Sequence, residues 1–195
     1  MNGELFALRE KAKKEGQPVL RDKSFELLTE TVKTKKPSKI LEIGVNLGLS
    51  GIAMLLESEN ATLTGIEIDE EVIKKSEENY RKFGVSDRVK IFSGDAGEII
   101  PVLTGEYDFI FLDGPKGHYY EYLPHLLSVL KKGGVIFADN VLFRGYVLGK
   151  VKTPHRFMTT KNSMEKYLSA VTENETLKST LYDMEDGVCI TEKLI

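Results

Sequence analysis

Short apolar runs alternate with longer amphipathic stretches along most of the chain. The apolar runs predict five strands, at residues 39–43, 62–68, 89–92, 107–112 and 135–138. Helical periodicity predicts helices at residues 2–15, 23–35, 49–58, 70–83, 118–131 and 160–171, and a short helix that ends near Pro101. Alternation at this spacing is typical of right-handed βαβ units, so we expect an α/β fold with a parallel sheet and helices on both faces.

The C-terminal part of the chain follows a different pattern. Two β-rich runs, residues 177–184 and 188–192, are separated by Glu185, Asp186 and Gly187. An Asp-Gly pair between two such runs predicts a β-hairpin. We therefore expect the parallel sheet to end in an antiparallel pair of strands.

Composition indicates an ordinary globular chain. Its 195 residues are 41% hydrophobic and 29% charged, which suits one domain, and the net charge of −3 gives no overall reason to expect nucleic acid. Within that domain we expect N-terminal helices over residues 1–36, a cofactor-binding core over 37–140 and an acceptor side over 141–195. The single cysteine, Cys189, excludes an intramolecular disulfide. With no secretory leader and no apolar run near the ~20 residues of a membrane span, we expect a cytoplasmic protein.

Polar side chains directly follow two of the predicted strands. Asp113 comes after residues 107–112, and Asp139 and Asn140 come after residues 135–138. Open α/β sheets bind their ligands at the carboxyl ends of the strands, where these side chains should converge. Three hard oxygen donors at one edge suit Mg²⁺, Mn²⁺ or Ca²⁺.

A glycine-containing turn follows the first strand, with Gly44, Gly48 and Gly51 in it. Glycines at such a turn let a ligand approach the backbone closely. Asn46 stands where the dinucleotide fingerprint needs its second glycine, which weakens an NAD interpretation. Glu67 lies 23 positions after Gly44, at the end of the second strand, where an acid can accept hydrogen bonds from ribose hydroxyls.

Two further acids have competing interpretations. Asp69 could replace Glu67 as the ribose acid, but it stands where the following helix begins and suits an N-cap. Asp95 follows the third strand and could contact an adenine amino group. It could equally cap the helix that runs toward Pro101, and the two roles are compatible.

Four motifs together resemble the metal-dependent class I O-methyltransferases. They are Glu42-Ile43-Gly44 with Gly48, Gly65-Ile66-Glu67, Phe111-Leu112-Asp113 with Lys116, and Ala138-Asp139-Asn140. That family includes the catechol and caffeoyl-CoA O-methyltransferases and the bacterial tRNA 5-hydroxyuridine methyltransferases. The resemblance runs from about residue 20 to the C-terminus.

The resemblance implies a Rossmann-like, seven-stranded, mostly parallel sheet with a C-terminal antiparallel hairpin, S-adenosylmethionine as methyl donor, usually Mg²⁺, and a homodimer. It implies a metal site at Asp113, Asp139 and Asn140, with Lys116 as the catalytic base. The residues implied to bind the cofactor are Glu42, Gly44, Asn46, Gly48, Ser50, Glu67, Asp95, Ala96 and Asp113. Residues 19–24 align with the family's lid over cofactor and substrate.

His118 is the rival base, although its place near a helix start also suits a cap or the rim of a substrate pocket. Tyr119, Tyr120 and Tyr122 follow it closely. We expect most of these tyrosines to pack on a helix face, although one could stack on a flat acceptor.

The acceptor is open between two classes. Residues 141–164 contain no acid and hold Arg144, Arg156 and Lys161, which could grip the phosphates of a tRNA anticodon loop. Of the two acceptors we favour 5-hydroxyuridine in tRNA, because residues 141–145 look like the bacterial tRNA subgroup. The same stretch could form the rim of a pocket for a small aromatic diol. An NAD-dependent oxidoreductase and a non-catalytic RNA-binding module are the alternatives from other classes.

Overall fold

A computed structural model describes residues 2–195 and contains one seven-stranded sheet. The strands are β1 (Lys39–Ile43), β2 (Thr62–Glu67), β3 (Val89–Ser93), β4 (Tyr107–Leu112), β5 (Leu130–Asp139), β6 (Leu177–Tyr182) and β7 (Val188–Lys193). Their order is β3-β2-β1-β4-β5-β7-β6. Strands β1 to β5 pair in parallel, and β7 is antiparallel to both β5 and β6. The predicted fold class is therefore confirmed.

Seven helices cover the sheet. They are α1 (Gly3–Lys14), α2 (Asp22–Lys35), α3 (Leu49–Glu57), α4 (Glu70–Lys82), α5 (Ala96–Ile99), α6 (Tyr119–Val129) and α7 (Met158–Thr172). Among residues 2–195, none of these helices has the length and apolar character that crossing a bilayer requires.

Alternate residues of each strand enter two separate hydrophobic clusters, one on each face of the sheet. In β4, Phe109 and Phe111 pack with residues of α1 to α4, whereas Ile110 and Leu112 pack with residues of α5 to α7. This alternation follows from the pleat, which points successive side chains to opposite faces. Burial on both faces explains why these strands read as continuous apolar runs in the sequence.

The largest boundary error concerns β5. The sequence pattern placed its start at residue 135, but the strand begins at Leu130, because Leu130 pairs with Tyr107 before the ladder resumes at Val135 and Phe109. Gly133, at a φ of 75°, lies in the irregular stretch between these pairs. Residues 131–134, two lysines followed by two glycines, are typical of the end of a helix. Pairing with β4 instead makes them part of strand β5. Every other predicted boundary lies within two residues of the observed one.

The C-terminal hairpin exists as predicted, but its loop is longer than an Asp-Gly turn. Strand β6 ends at Tyr182 and β7 begins at Val188, which leaves residues 183–187 in the connection. Two of its residues, Glu185 and Gly187, have positive φ angles of 52° and 82°. Gly187 is necessary there, because an added Cβ would lie 2.2 Å from the side chain of Leu142.

Candidate active site

Backbone contacts hold the carboxyl ends of β1, β4 and β5 side by side. The amide of Asp113 donates to the carbonyl of Ile43 at 3.1 Å, which continues the parallel ladder one residue past β4. The buried hydroxyl of Tyr119 lies 3.0 Å from the carbonyl oxygen of Leu112 and 3.3 Å from that of Asp139. Tyr119 therefore bridges the ends of β4 and β5 from the first residue of α6.

A cavity of about 420 Å³ opens at this edge of the sheet. It brings together most of the predicted metal, base and donor residues, which come from four separate parts of the chain. The lining includes Gly44, Asn46, Glu67, Asp113, Lys116, Asp139 and Asn140, together with residues 18–21 ahead of α2. The predicted convergence of Asp113, Asp139, Asn140 and Lys116 is thus present in the structure.

Asp139 is the least satisfied carboxylate of the cavity. Its side chain is buried, and Oδ1 has no hydrogen-bond partner within residues 2–195. Burial, and then repulsion from Asp113, raise the pKa of Asp139 to about 7. Burial also raises the pKa of Asp113, although the ammonium group of Lys116, 3.0 Å from Asp113 Oδ1, counteracts that rise.

Asp113, Asp139 and Asn140 fit a divalent cation. A cation would supply the missing partner of Asp139 Oδ1 and remove the repulsion that raises both carboxyl pKa values. The described residues contain no group of three or more His, Cys, Asp or Glu side chains that could hold a metal. A cation here would therefore rely on two carboxylates and the Asn140 amide, and would take its other ligands from solvent or substrate. Asn140 adopts a left-handed backbone at a φ of 57°, which asparagine tolerates well.

The turn after β1 lies directly against this site. Gly44 has a φ of 88°, and a Cβ there would come within 2.7 Å of the carbonyl oxygen of Asp113. Asn46 has a φ of 49° and donates from its side chain to the carbonyl of Pro18 at 2.5 Å. Gly44 is thus required for the close approach of the ends of β1 and β4. Asn46 connects the turn to residues 18–21 through its hydrogen bond to Pro18.

The side-chain carboxylate of Glu67 holds the same turn by accepting hydrogen bonds from backbone amides. It accepts from the amides of Asn46 at 2.9 Å, Ile68 at 2.8 Å and Asp69 at 3.1 Å. Its carboxylate lines the cavity in a fixed orientation. Oε1 already accepts two of these hydrogen bonds, whereas Oε2 accepts only one and retains acceptor capacity for a ribose hydroxyl. Asp69 instead caps α4 by accepting from the amides of Glu71 and Val72, as the sequence indicated.

Glu42, Gly48 and Ser50 take different places around the turn. Glu42 is fully buried and does not line the cavity, and its Oε2 lies 3.4 Å from the hydroxyl of Tyr80. Burial, and then the charge of Asp113, raise its pKa well above the usual value. Gly48 admits the Tyr80 ring, which an added Cβ would meet at 2.8 Å. Ser50 lines a small recess that adjoins the cavity.

Asp95 and Ala96 lie outside the cavity lining. Asp95 caps α5 by accepting from the amide of Gly97 at 2.6 Å, which confirms the capping interpretation. Burial, and then the charge of Asp95, raise the pKa of Tyr122 to about 12, so this tyrosine of α6 lies close to the predicted adenine contact. The contact itself stays a prediction.

His118 does not cap α6 with its side chain. Its Nδ1 lies 2.7 Å from Glu121 Oε2, and its ring stacks on Tyr122 with 5.8 Å between ring centroids. His118 thus occupies the N-cap position of α6 without capping it through its side chain, and it does not appear in the cavity lining. The position of Lys116 in that lining makes it the better candidate for the base.

The basic segment, residues 141–164, lies beyond the cavity lining. Lys161 pairs with Glu165 at 2.5 Å, so one predicted phosphate contact is already engaged with an acid of α7. The guanidinium groups of Arg144 and Arg156 lie 5.2 and 4.7 Å from the centroid of the Phe157 ring. Two arginines of the segment therefore lie beside one aromatic ring.

Sequence reasoning missed the bridging role of Tyr119, which it treated as one of three tyrosines packing on a helix face. Tyr119 is fully buried among the ends of β4 and β5, whereas Tyr120 is 44% exposed. The only available signal was its position immediately after the loop that carries Lys116. Nothing in the local sequence indicates which two carbonyls its hydroxyl reaches.

The chain is similar in sequence to known O-methyltransferases. Residues 7–194 match the family model described as O-methyltransferase. A caffeoyl-CoA O-methyltransferase of Stellaria longipes is 33% identical over 129 residues, which cover 63% of this chain and 54% of that protein. A catechol O-methyltransferase of Niastella koreensis is 33% identical over 136 residues, which cover 67% of this chain and 60% of that protein. The chain thus matches little more than half the length of these two relatives.

Solved structures share the fold over nearly the whole chain. The S-adenosylhomocysteine-bound methyltransferase PaMTH1 of Podospora anserina has a TM-score of 0.77 at 26% identity, and the match covers 100% of this chain and 97% of that one. The O-methyltransferase TomG of Streptomyces achromogenes, in complex with S-adenosylmethionine, has a TM-score of 0.87 at 20% identity. That match covers 100% of this chain and 91% of the other.

Proposed function

The chain belongs to the O-methyltransferase family, and we propose that it transfers a methyl group from S-adenosylmethionine to a hydroxyl with a neighbouring oxygen. The observation that carries this proposal is the cavity in which Asp113, Asp139 and Lys116 meet the glycine turn after β1. Solved relatives that share the fold hold S-adenosylmethionine or S-adenosylhomocysteine.

For the donor, we assign the side of the cavity formed by Gly44, Asn46 and Glu67. The φ of 88° at Gly44 opens the backbone to a close approach, and the Glu67 carboxylate is held by three amides at the edge of the same turn. Residues 18–21 complete this side. An NAD-dependent oxidoreductase would need a similar turn but has no use for the two carboxylates at the ends of β4 and β5.

For the acceptor, we assign the side formed by Asp113, Lys116, Asp139 and Asn140. A divalent cation held by the two carboxylates and the amide would lower the pKa of an acceptor hydroxyl. Lys116 would take the proton, while the acceptor oxygen forms a bond to the methyl carbon and the carbon–sulfur electron pair goes to sulfur. Lys116 can accept a proton only as a neutral amine, so it must first lose the positive charge that it holds 3.0 Å from Asp113 Oδ1.

In place of the tRNA acceptor that the sequence favoured, we propose a small aromatic acceptor with adjacent oxygens, because two relatives are named for catechol and caffeoyl-CoA. The engagement of Lys161 by Glu165 also weakens the predicted phosphate-binding surface. A 5-hydroxyuridine in tRNA remains the second candidate, because Arg144, Phe157 and Arg156 combine positive charge with an aromatic ring that could stack on a base.

The test is incubation with labelled S-adenosylmethionine, Mg²⁺, and either a panel of catechols and caffeoyl-CoA or tRNA from a methylation-deficient strain. Each reaction is run with and without a chelator. We expect label in a small diol and its loss on chelation. Label in tRNA alone would favour the second acceptor, whereas undiminished transfer after exhaustive metal removal would contradict the metal role.

Arg156→Glu separates the two acceptors. If tRNA is the substrate, this variant should lower tRNA methylation strongly and leave catechol methylation nearly unchanged, and tRNA binding should weaken steeply with added salt. An equal loss on both substrates would count against an RNA role. Binding of tRNA with no transfer under any metal would favour a non-catalytic RNA-binding module.

Two simpler measurements address the remaining expectations. If S-adenosylhomocysteine raises the melting temperature and NAD does not, the oxidoreductase alternative is excluded. Light scattering during gel filtration tests the homodimer, which we keep as a proposal because it rests on the family alone. We also propose a cytoplasmic location on the evidence of the single buried cysteine, Cys189.

A further inference from the structure

Residues 18–21 form one wall of the cavity and lead directly into α2. They are held from two sides. The side chain of Asn46 donates to the carbonyl of Pro18 at 2.5 Å, and the buried guanidinium of Arg9 donates to the carbonyl of Leu20 at 2.9 Å. The position of this wall therefore depends on contacts outside residues 18–21, including those that fix the start of α2.

The start of α2 has no cap of its own. Its N-cap residue is Arg21, whose side chain makes no capping hydrogen bond. Glu185 supplies the cap from the loop between β6 and β7, 161 positions away from Ser24. Its carboxylate accepts from the amides of Lys23 at 3.2 Å and Ser24 at 2.9 Å, and from the Ser24 hydroxyl at 3.0 Å. A carboxylate is well suited to this place, because the N-terminus of a helix favours negative charge.

The backbone at Glu185 supports a specific use of its side chain. Its φ of 52° lies in the left-handed region, where glycine or asparagine would be less strained than glutamate. The three hydrogen bonds to α2 offset that strain.

We propose that Glu185 is a positioning residue that holds residues 18–21 closed over the donor side of the cavity by capping α2. This inference rests on the proposed function for the nature of the ligand. Glu185 does not line the cavity, so it acts through the helix and the segment that precedes it. Its loop belongs to the acceptor side of the fold, and the contact links that side to the wall over the donor.

The test compares Glu185→Gln and Glu185→Gly with the wild-type chain. Removing the charge or the side chain weakens the cap of α2 and the hold on residues 18–21, so we expect the Kd of S-adenosylhomocysteine to rise about fivefold by calorimetry. KM for S-adenosylmethionine should rise by a similar factor while kcat at saturating donor stays within about twofold. Amide hydrogen exchange of residues 18–24 should become faster without ligand. Glu185→Gly also relieves the left-handed backbone, so it should fold even if the glutamine variant does not.

Glu192→Gln is the matched control. Glu192 pairs with Lys35 at 2.9 Å and so ties the opposite end of α2 to β7, away from the cavity. This variant should leave both the Kd and the exchange of residues 18–24 unchanged. Equal changes in the control and in Glu185→Gln, or no change in either Glu185 variant, would overturn the inference. A wild-type chain that binds no S-adenosylhomocysteine would instead refute the proposed function, and hydrogen exchange would still test the contact.

Discussion

The two ends of strand β4 carry aspartates in opposite situations. Near the start, Asp108 accepts from the Ser38 amide at 2.9 Å, the Ser38 hydroxyl at 2.5 Å, the Lys39 amide at 2.7 Å and Lys131 Nζ at 2.8 Å. Burial raises its pKa, but these hydrogen bonds outweigh burial and hold the value at about 2.

At the other end, Asp113 shares its surroundings with Asp139 on the neighbouring strand. Burial dominates there and raises both pKa values, that of Asp139 to about 7. Asp139 Oδ1 is buried without a hydrogen-bond partner anywhere in the described part of the chain.

This difference separates structural from functional carboxylates. A carboxylate whose oxygens are all satisfied stabilises the fold in its charged form, as Asp108 does by joining β1, β4 and the start of β5. A buried carboxylate that lacks partners costs stability and is typical of sites that bind or transform a ligand. The comparison therefore assigns the carboxyl end of the sheet to function and the amino end to stability.

The largest expected effect is on catalysis at the carboxyl end. Asp139→Ala should lower methyl transfer by about a thousandfold or more, because the variant lacks one proposed ligand of the cation that would bind the reacting oxygen. Calorimetry should show S-adenosylhomocysteine binding within about twofold of wild type, since the proposed donor contacts are at Gly44, Asn46 and Glu67, on another side of the cavity. Transfer retained within tenfold would contradict the assignment of Asp139.

A second effect concerns the stability of the metal-free protein. The pKa of Asp139 rises on folding from 3.8 to about 7, so the folded state binds the extra proton between these values. Stability from this group is fully present below pH 3.8 and is lost as pH rises through about 7. With chelator at pH 8, Asp139→Asn should raise the free energy of unfolding by a few kcal/mol, at most about 4.

The urea midpoint measures this change, and the gain should disappear near pH 4. A gain of the same size at both pH values would show that ionisation of Asp139 is not its cause.

A smaller effect is expected at the amino end. Asp108→Ala should lower the free energy of unfolding by about 2 kcal/mol at pH 7, while kcat and KM stay near wild type. The pKa of Asp108 falls on folding from 3.8 to about 2, so its contribution is present above pH 3.8 and is lost as pH falls through 2. Solvent screening of the partly exposed side chain limits this pH-dependent part to about 1 kcal/mol. Urea unfolding between pH 2 and 7 measures this pH-dependent contribution. A loss of activity in Asp108→Ala would contradict the assignment of the amino end of the sheet to stability.

The sequence predicted the carboxyl end of the sheet better than the contacts that support it. Apolar runs that end in Asp113 and Asp139 follow the rule that parallel strands present their carboxyl ends at one edge, so their meeting was predictable. The bounds of β1 and β4 were also correct, because both strands are buried on both faces.

Other features depend on long-range contacts that local patterns do not encode. The extension of β5 requires pairing of Leu130 with Tyr107, and the cap of α2 comes from Glu185 in a distant loop. The pairing of Lys161 with Glu165 is different, because an i,i+4 ion pair on α7 is local and can be predicted from the sequence. Which donor atoms meet across the fold is decided by tertiary packing rather than by spacing.

The most direct test of the account is a Mn²⁺ titration followed by electron paramagnetic resonance. It compares the wild-type chain with Asp139→Asn and Asp108→Asn. We predict that the wild type and Asp108→Asn bind one Mn²⁺ with equal affinity, and that Asp139→Asn binds it at least about tenfold more weakly. Equal binding by wild type and Asp139→Asn, or no Mn²⁺ binding by the wild type, would contradict the claim that the unsatisfied carboxylate of Asp139 belongs to a metal site at the carboxyl end of the sheet.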